Sequence, residues 1–101
     1  MAKKIEWSET ALADRLEILK YWLKRNGNKN YSKKLDLSFR KTVKTVAKYN
    51  FIGKKTDFEN VRMAVCKNYL IFYRIENEIV EITRIWDSRR NPGNLEMEQT
   101  L

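Results

Sequence analysis

The hydrophobic period of the chain changes after about residue 58, and this change limits the folds that the chain can adopt. From Leu12 to about residue 50, apolar residues recur at intervals of three and four, which predicts helices. From Val61 onward they alternate with polar residues or form β-branched and aromatic runs, which predicts strands. A chain of 101 residues has room for one core. We therefore predict a single α+β domain over residues 1–95, followed by a polar tail over residues 96–101.

The first half of the domain is predicted to be a strand followed by two helices. Alternation at residues 3–7 predicts the strand, in which Ile5 and Trp7 share one side. Ser8 is a suitable N-cap for the first helix, and Gly27 is a suitable C-terminal residue. A second helix is predicted over residues 31–49, forming an antiparallel hairpin with the first. The predicted apolar face of the first helix consists of Leu12, Leu16, Leu19 and Leu23, widened by Ile18 and Trp22.

The second half is predicted to be an antiparallel meander. Residues 53–57 are predicted to be a polar loop, and short polar segments at residues 67–68 and 76–78 fit tight turns. The strands between these turns are predicted at 61–66, 69–75 and 79–86. We expect both helices to cover one face of the twisted sheet, with Tyr69 and Tyr73 packed against them, and the first strand to join a sheet edge.

Composition excludes several chemistries. The chain has no histidine, so it has no Ser-His-Asp triad, no Cys-His dyad and no imidazole base. Cys66 is the single cysteine and is interpreted as structural, and no spacing for a zinc site occurs. We therefore expect no metal and no cofactor. Without an apolar run of about 18 residues or a signal peptide, we expect no membrane partner and a cytoplasmic location.

The positive charge lies in the first half of the chain. Residues 1–50 contain 13 basic and 5 acidic side chains, whereas residues 51–101 contain 8 of each, which accounts for the net charge of +8. Such a surface suits a polyanion, either a nucleic acid or an acidic protein segment. The alternative is a solvated helix face that keeps the protein in solution. The lysines predicted to attract the partner are Lys33, Lys34, Lys41, Lys44 and Lys48.

Several short motifs resemble the RelE/ParE superfamily of toxins from type II toxin–antitoxin modules. They are Ile5-Glu6-Trp7-Ser8, Phe51-Ile52-Gly53, Arg62, the run from Tyr69 to Ile75, and the run from Ile85 to Pro92. The resemblance implies a toxin that is neutralised by a cognate acidic antitoxin. It also implies a monomer or dimer alone and a hetero-oligomer with the antitoxin.

The two branches of this superfamily imply different mechanisms. RelE-like members are ribosome-dependent, metal-independent mRNA endoribonucleases, and they typically carry an arginine where this chain has Leu70. ParE-like members bind an essential target, DNA gyrase, and the apolar Leu70 is more similar to that branch. We therefore predict a ParE-like inhibitor, with the nuclease as the alternative. A basic nucleic-acid-binding domain without toxicity is a third hypothesis.

The candidate site residues depend on the branch. A nuclease would use Arg62, Arg89 and Arg90 to stabilise the transition state, and Glu59 and Asp87 are candidate acids or bases. For each carboxylate the alternative is a salt bridge. The residues predicted to contact RNA or a protein target in either branch are Lys67, Trp86, Arg89 and Arg90. For Trp86 we leave open whether the ring is exposed or packed, and Arg89 has the alternative of pairing with Asp87.

Overall fold

The structure, a computed structural model, describes residues 2–89, so the predicted tail and the domain boundary at residue 95 lie outside it. It is the predicted α+β fold, in which two helices pack against a mixed sheet, and this sheet has five strands, one more than predicted. Among the described residues, no helix is long and apolar enough to span a membrane. The elements are β1 (Lys4–Trp7), α1 (Glu9–Asn26), α2 (Asn30–Lys48), β2 (Lys54–Lys55), β3 (Val61–Cys66), β4 (Tyr69–Glu76) and β5 (Ile79–Asp87).

The strands lie in the order β1-β5-β4-β3-β2. β3, β4 and β5 form the predicted antiparallel meander, and β1 pairs in parallel with β5 at one edge, from Lys4↔Ile79 to Trp7↔Ile82. The other edge is β2, which pairs with β3 through Lys54↔Met63 and Lys55↔Arg62. The prediction of a loop over residues 53–57 is therefore wrong in part. A strand of two residues is too short to show the alternation by which strands are predicted.

The main core lies between the sheet and the helices. α2 buries one face, formed by apolar residues at intervals of three and four, and Tyr69, Ile71 and Tyr73 of β4 pack beneath the helices, where the two tyrosines are expected. Cys66 is buried in the same layer. The side chains of this core that α2 contributes are Leu35, Phe39, Val43 and Val46. Because these residues come from distant parts of the chain, the core holds the helical hairpin to the meander.

The predicted apolar face of α1 is confirmed in part. Ile18, Leu19 and Trp22 pack against the central cluster, as predicted. Leu12, Leu16 and Leu23 are exposed instead. Ala11, which lies in the row of Ile18 and Trp22 but is not in the predicted face, is fully buried. Arg15, in the same row, stacks over the ring of Trp7 and pairs with Asp36 of α2 at 2.7 Å. The small side chain of Ala11 lets α1 approach the sheet closely, which a leucine there would prevent.

The ends of α1 match the prediction. The Ala11 amide donates to the Ser8 hydroxyl at 3.0 Å, which caps the N-terminus of the helix. Gly27 ends the helix with φ 71°, a left-handed conformation that a residue without Cβ adopts readily, and its amide donates to the Leu23 carbonyl. The Ser8 amide also donates to the Ile82 carbonyl of β5, so the start of α1 is tied to the sheet.

A second, smaller cluster covers the sheet face that points away from the helices. Val61, Phe72 and Trp86 are buried there, and Phe58, Met63 and Leu70 pack against them. Of the two alternatives left open for Trp86, the structure therefore gives the packed one. A buried indole of this kind contributes to stability through its apolar area.

Candidate functional site

A cleft of about 260 Å³ lies where α1 crosses the ends of β4 and β5. Its polar lining includes Asp14, Tyr69, Arg84, Asp87 and Arg89, and its apolar lining includes Ile18 and Trp86. The cleft lies at the end of the sheet that also holds the β3–β4 turn, because the Ser88 amide and hydroxyl both donate to the Asn68 carbonyl. This end of the molecule, the α1 end, contains the predicted site residues Lys67, Trp86 and Arg89.

Asp14 covers the open edge of β5 beyond its pairing with β1. Its carboxylate accepts hydrogen bonds from Nε of Arg84 at 2.8 Å, from Nη2 of Arg84 at 3.2 Å and from the Ile85 amide at 3.1 Å. The ion pair is mostly buried, with 18% and 14% of the two side chains exposed. Asp14 thus occupies an amide of the sheet edge and neutralises Arg84, which protects the edge from pairing with another strand.

Arg89 is held by Asp87, the salt bridge that the sequence offers as an alternative role. Nε and Nη2 of Arg89 donate to the two carboxylate oxygens at 2.9 and 2.8 Å, and the Arg89 amide donates to the same group at 2.9 Å. Hydrogen bonding to this carboxylate and its negative charge raise the pKa of Arg89 further above its ordinary value. Arg89 is therefore a fully charged group whose charge is compensated locally.

Tyr69 forms the floor between the cleft and the core. Its hydroxyl accepts a hydrogen bond from Nε1 of Trp22 at 2.7 Å. Burial raises the pKa of Tyr69, and the hydrogen bond from Trp22 offsets part of that rise. The phenol is consequently neutral near pH 7 and is poorly suited to act as a base.

At the opposite end of the sheet, residues 49–53 form a short exposed segment, the tip, which connects α2 to β2. The Tyr73 hydroxyl donates to the Asn50 carbonyl at 2.9 Å and accepts from the Gly53 amide at 3.0 Å. Nη1 of Arg62 donates to the Gly53 carbonyl at 2.8 Å, and its guanidinium lies 4.9 Å from the centroid of the Phe51 ring. The pKa of Tyr73 is raised above its ordinary value because the phenol is buried, and the hydrogen bond from the Gly53 amide offsets part of this rise.

The structure does not bring the predicted catalytic residues together. Arg62 contacts the tip, whereas Lys67 lies at the β3–β4 turn, five residues further along the chain. At about 3.4 Å per residue, five residues of strand span about 17 Å. Arg89 belongs to the α1 end, and Arg90 lies outside the described residues. Within residues 2–89, no group of three His, Cys, Asp or Glu side chains could hold a metal.

The five lysines predicted to attract a partner are all exposed on α2. Asp36 is the single acidic residue of α2, and it is engaged by Arg15 at 2.7 Å and by Arg40 at 3.4 Å. The lysine charges are therefore not balanced from within the helix. The result is a broad basic surface on the outer side of the hairpin.

Comparison with known proteins identifies the family. The family model described as the ParE toxin of the type II toxin–antitoxin system parDE matches residues 5–92. The chain belongs to the ParE toxin family. Its fold is similar to a structure titled "Chromosomal ParDE TA system from P. aeruginosa", with a TM-score of 0.75 and 18% identity over 85% of this chain and 96% of that one. At this identity the likeness shows a shared fold. A comparison with curated protein sequences gives no match.

In this ParE-family chain, the position of Leu70 is apolar in its surroundings as well as in its sequence. Leu70 pairs with Val65 of β3 and Trp86 of β5, and it packs against the cluster of Val61, Phe72 and Trp86. An arginine at this position would lie on apolar side chains.

Sequence reasoning missed three residues that shape the two ends of the molecule. Asp14, as an acidic residue near the N-terminus of α1, suits the positive end of the helix dipole, but its partners in the structure are 70 and 71 residues away. Tyr73 was interpreted as core packing, yet its hydroxyl also holds the tip. Phe51 was noted only within a family motif. The strand alternation that buries Tyr73 and the short Phe51-Ile52-Gly53 motif carry no signal of these contacts.

Proposed function

We propose that the protein is the toxin of a type II toxin–antitoxin module and that it arrests growth by binding an essential target rather than by cleaving mRNA. The observation that supports this most directly is the separation of the candidate catalytic arginines. Arg62 is engaged by carbonyls at the tip, and Arg89 is engaged by a carboxylate at the α1 end. A nuclease without metal needs several cationic groups converging on one phosphate, together with a proton donor and acceptor.

The surroundings of the other candidates favour the same mechanism. Asp87, one candidate acid or base, accepts three hydrogen bonds from Arg89, so both of its carboxylate oxygens are already engaged in a salt bridge. Leu70 occupies the position at which the nucleases typically carry arginine, and it packs on Phe72 and Trp86. These contacts fit a protein that acts through a surface. DNA gyrase is the target that the ParE branch implies.

The basic outer surface of α2 is suited to the antitoxin. The lysines at positions 33, 34, 41, 44 and 48 are exposed and are not neutralised within the helix. An acidic antitoxin segment would gain from long-range attraction to this surface before it docks. We propose that these lysines speed the capture of the antitoxin, which then keeps the toxin silent.

The test is induced expression with two separate readouts. We expect growth arrest, loss of negative supercoiling of a reporter plasmid, and inhibition of purified gyrase, with no discrete breaks in primer-extension maps of mRNA. Discrete in-frame breaks in ribosome-bound mRNA would overturn the proposal and favour the nuclease. The matched variant is Leu70→Arg, checked for folding by circular dichroism. A binding toxin gains no mRNA cleavage from this arginine, whereas cleavage by the variant would show a nuclease site in this fold.

A further inference from the structure

The tip exposes more apolar side chain than any other short segment within residues 2–89. Phe51 is 72% exposed, and its neighbours Tyr49 and Ile52 are also mostly exposed. Transfer of a large aromatic ring from water into an apolar site of a partner is favourable in free energy. Phenylalanine at the end of a loop is therefore a candidate anchor for a protein–protein contact.

The tip is held in one conformation by hydrogen bonds from both sides. Tyr73 bonds the Asn50 carbonyl and the Gly53 amide, and Arg62 bonds the Gly53 carbonyl. The side-chain amide of Asn50 in turn donates to the Val46 and Ala47 carbonyls at 2.9 Å, which fastens the tip to the end of α2. Because the conformation is already fixed, little backbone entropy is lost when Phe51 binds a partner.

Gly53 makes this arrangement possible. A Cβ at this position would lie 2.6 Å from the Tyr73 hydroxyl and 2.7 Å from the Met63 carbonyl, closer than real Cβ atoms approach other heavy atoms. The absence of a side chain therefore lets the tip come close enough for the Tyr73 hydroxyl to bond two of its backbone groups. The hydrogen bonds fix where Phe51 projects.

The charges around the tip are positive. No acidic residue occurs from Lys41 to Lys55, whereas this stretch contains five lysines. Arg62 adds a guanidinium over the Phe51 ring, and its hydrogen bonds go to carbonyls, which do not neutralise its charge. The nearest acidic residues along the chain, Asp57 and Glu59, line a cleft to which Phe51 and Arg62 also contribute, and neither forms a salt bridge with Arg62. An apolar knob in a basic surround fits an apolar pocket with an acidic rim.

We propose that the tip is the anchor by which the toxin holds its essential target, with Phe51 inserted into an apolar pocket of a folded protein whose rim is acidic. This inference rests on the proposed function, since it assumes a binding toxin. A rigid, convex knob fits a pocket that already exists in a folded partner. An antitoxin segment that folds on binding brings its own side chains and needs a groove instead. Such a groove lies between α1 and α2. Its apolar lining comes from Leu16, Leu19 and Leu23 of α1, and Lys29 and Lys33 add positive charge beside them.

The test compares Phe51→Ala with Leu37→Ala, a matched truncation of an apolar side chain that is 45% exposed on α2. Each variant is assayed for growth arrest on induction and for inhibition of supercoiling by purified gyrase holoenzyme, with circular dichroism as the check on folding. We expect Phe51→Ala to raise the half-inhibitory concentration at least about tenfold, the size of a hot-spot effect, and Leu37→Ala to leave it unchanged.

A second variant, Tyr73→Phe, tests the hydrogen bonds without changing the exposed surface. We expect a smaller loss of potency, about threefold, since the tip keeps its residues but is less fixed. Undiminished toxicity of Phe51→Ala would overturn the inference, and that is also the result expected if the tip contacts only the antitoxin. Equal losses in Phe51→Ala and Leu37→Ala would overturn it too. If the wild type arrests growth without inhibiting gyrase, the choice of target fails, and relief of growth arrest in Phe51→Ala alone still decides the role of the tip.

Discussion

The two ends of the sheet use arginine in different ways. At the α1 end, Arg84 and Arg89 are bound by the carboxylates of Asp14 and Asp87, so each positive charge is matched by a negative one. At the tip, Arg62 is bound by backbone carbonyls, so its charge is not compensated. Both ends also place an arginine near an aromatic ring, at 5.7 Å for Arg84 and Trp86 and at 4.9 Å for Arg62 and Phe51. Trp86 is buried, whereas Phe51 is exposed.

This difference separates a structural role from a binding role. A charge that is matched locally adds little to the field that a partner senses, and its main effect is on the stability of the fold. An unmatched charge beside an exposed ring lowers the stability of the fold little, because water solvates it. The same charge attracts an acidic partner. We therefore expect the buried Asp14–Arg84 pair at the α1 end to contribute mainly to stability. We expect the exposed ring of Phe51 at the tip and the guanidinium of Arg62 beside it to contribute mainly to binding.

The largest effect on stability is expected from Asp14→Ala. The substitution removes the carboxylate that holds both Arg84 and the Ile85 amide, and the ion pair is mostly buried. We expect a loss of about 3 kcal/mol in the free energy of unfolding, measured by urea denaturation. Asp14→Asn is the control, because its amide oxygen can still accept one of these hydrogen bonds and should lose less. Equal stability of Asp14→Ala and the wild type would show that the hydrogen bonds from Asp14 to the edge of β5 do not stabilise the fold.

An intermediate effect is expected from Tyr73→Phe, which removes two hydrogen bonds at the base of the tip. We expect a loss of about 1–2 kcal/mol in the free energy of unfolding near pH 7.

The stabilisation by Tyr73 should also depend on pH. Burial raises the pKa of Tyr73 in the folded protein above the value of about 10 for the unfolded chain. The folded state therefore keeps this proton while the unfolded chain loses it, so the contribution of Tyr73 is complete below about pH 10 and is lost as the pH rises toward the folded pKa.

The measurement is urea denaturation of the wild type and Tyr73→Phe at several pH values from 7 to 11. The difference in stability between them should shrink above about pH 10, since the variant has no phenol at this position to ionise. Tyr69→Phe is a useful comparison, because Tyr69 is also buried with a raised pKa but does not contact the tip. A constant difference across this range would contradict the raised pKa of Tyr73.

The fold could be predicted from the sequence to the extent that local patterns determine it. The period of α2 indicates its buried face, and the turns at residues 67–68 and 76–78 define the meander. The buried face of α1 could be found only in part. Ile18, Leu19 and Trp22 pack against the core as predicted, whereas Leu12, Leu16 and Leu23 are exposed. Ala11 is buried because the helix approaches the sheet closely there, which the apolar period alone does not indicate.

The site was less accessible from the sequence because its contacts join distant residues. Arg62 and Arg89 are both arginines in the second half of the chain, and no local pattern shows that one is bound by carbonyls and the other by a carboxylate. Asp14 and Arg84 are 70 residues apart in the sequence. The family resemblance, in contrast, could be detected from the sequence, because it depends on the order of short motifs rather than on their contacts.

The smallest effect is expected from Arg89→Gln, and it tests the comparison most directly. The Arg89–Asp87 pair joins neighbouring residues at the surface, and more than half of the Arg89 side chain is exposed, so its loss should not change the midpoint of urea denaturation measurably. We also expect undiminished toxicity on induction, since the charge of Arg89 is already matched by Asp87. Arg62→Gln is the counterpart at the tip and should reduce toxicity, because it removes an unmatched charge and a bond to the Gly53 carbonyl. If Arg89→Gln abolished toxicity while the protein stayed folded, the α1 end would contact the target as well, and local matching of a charge would be a poor guide to binding in this toxin.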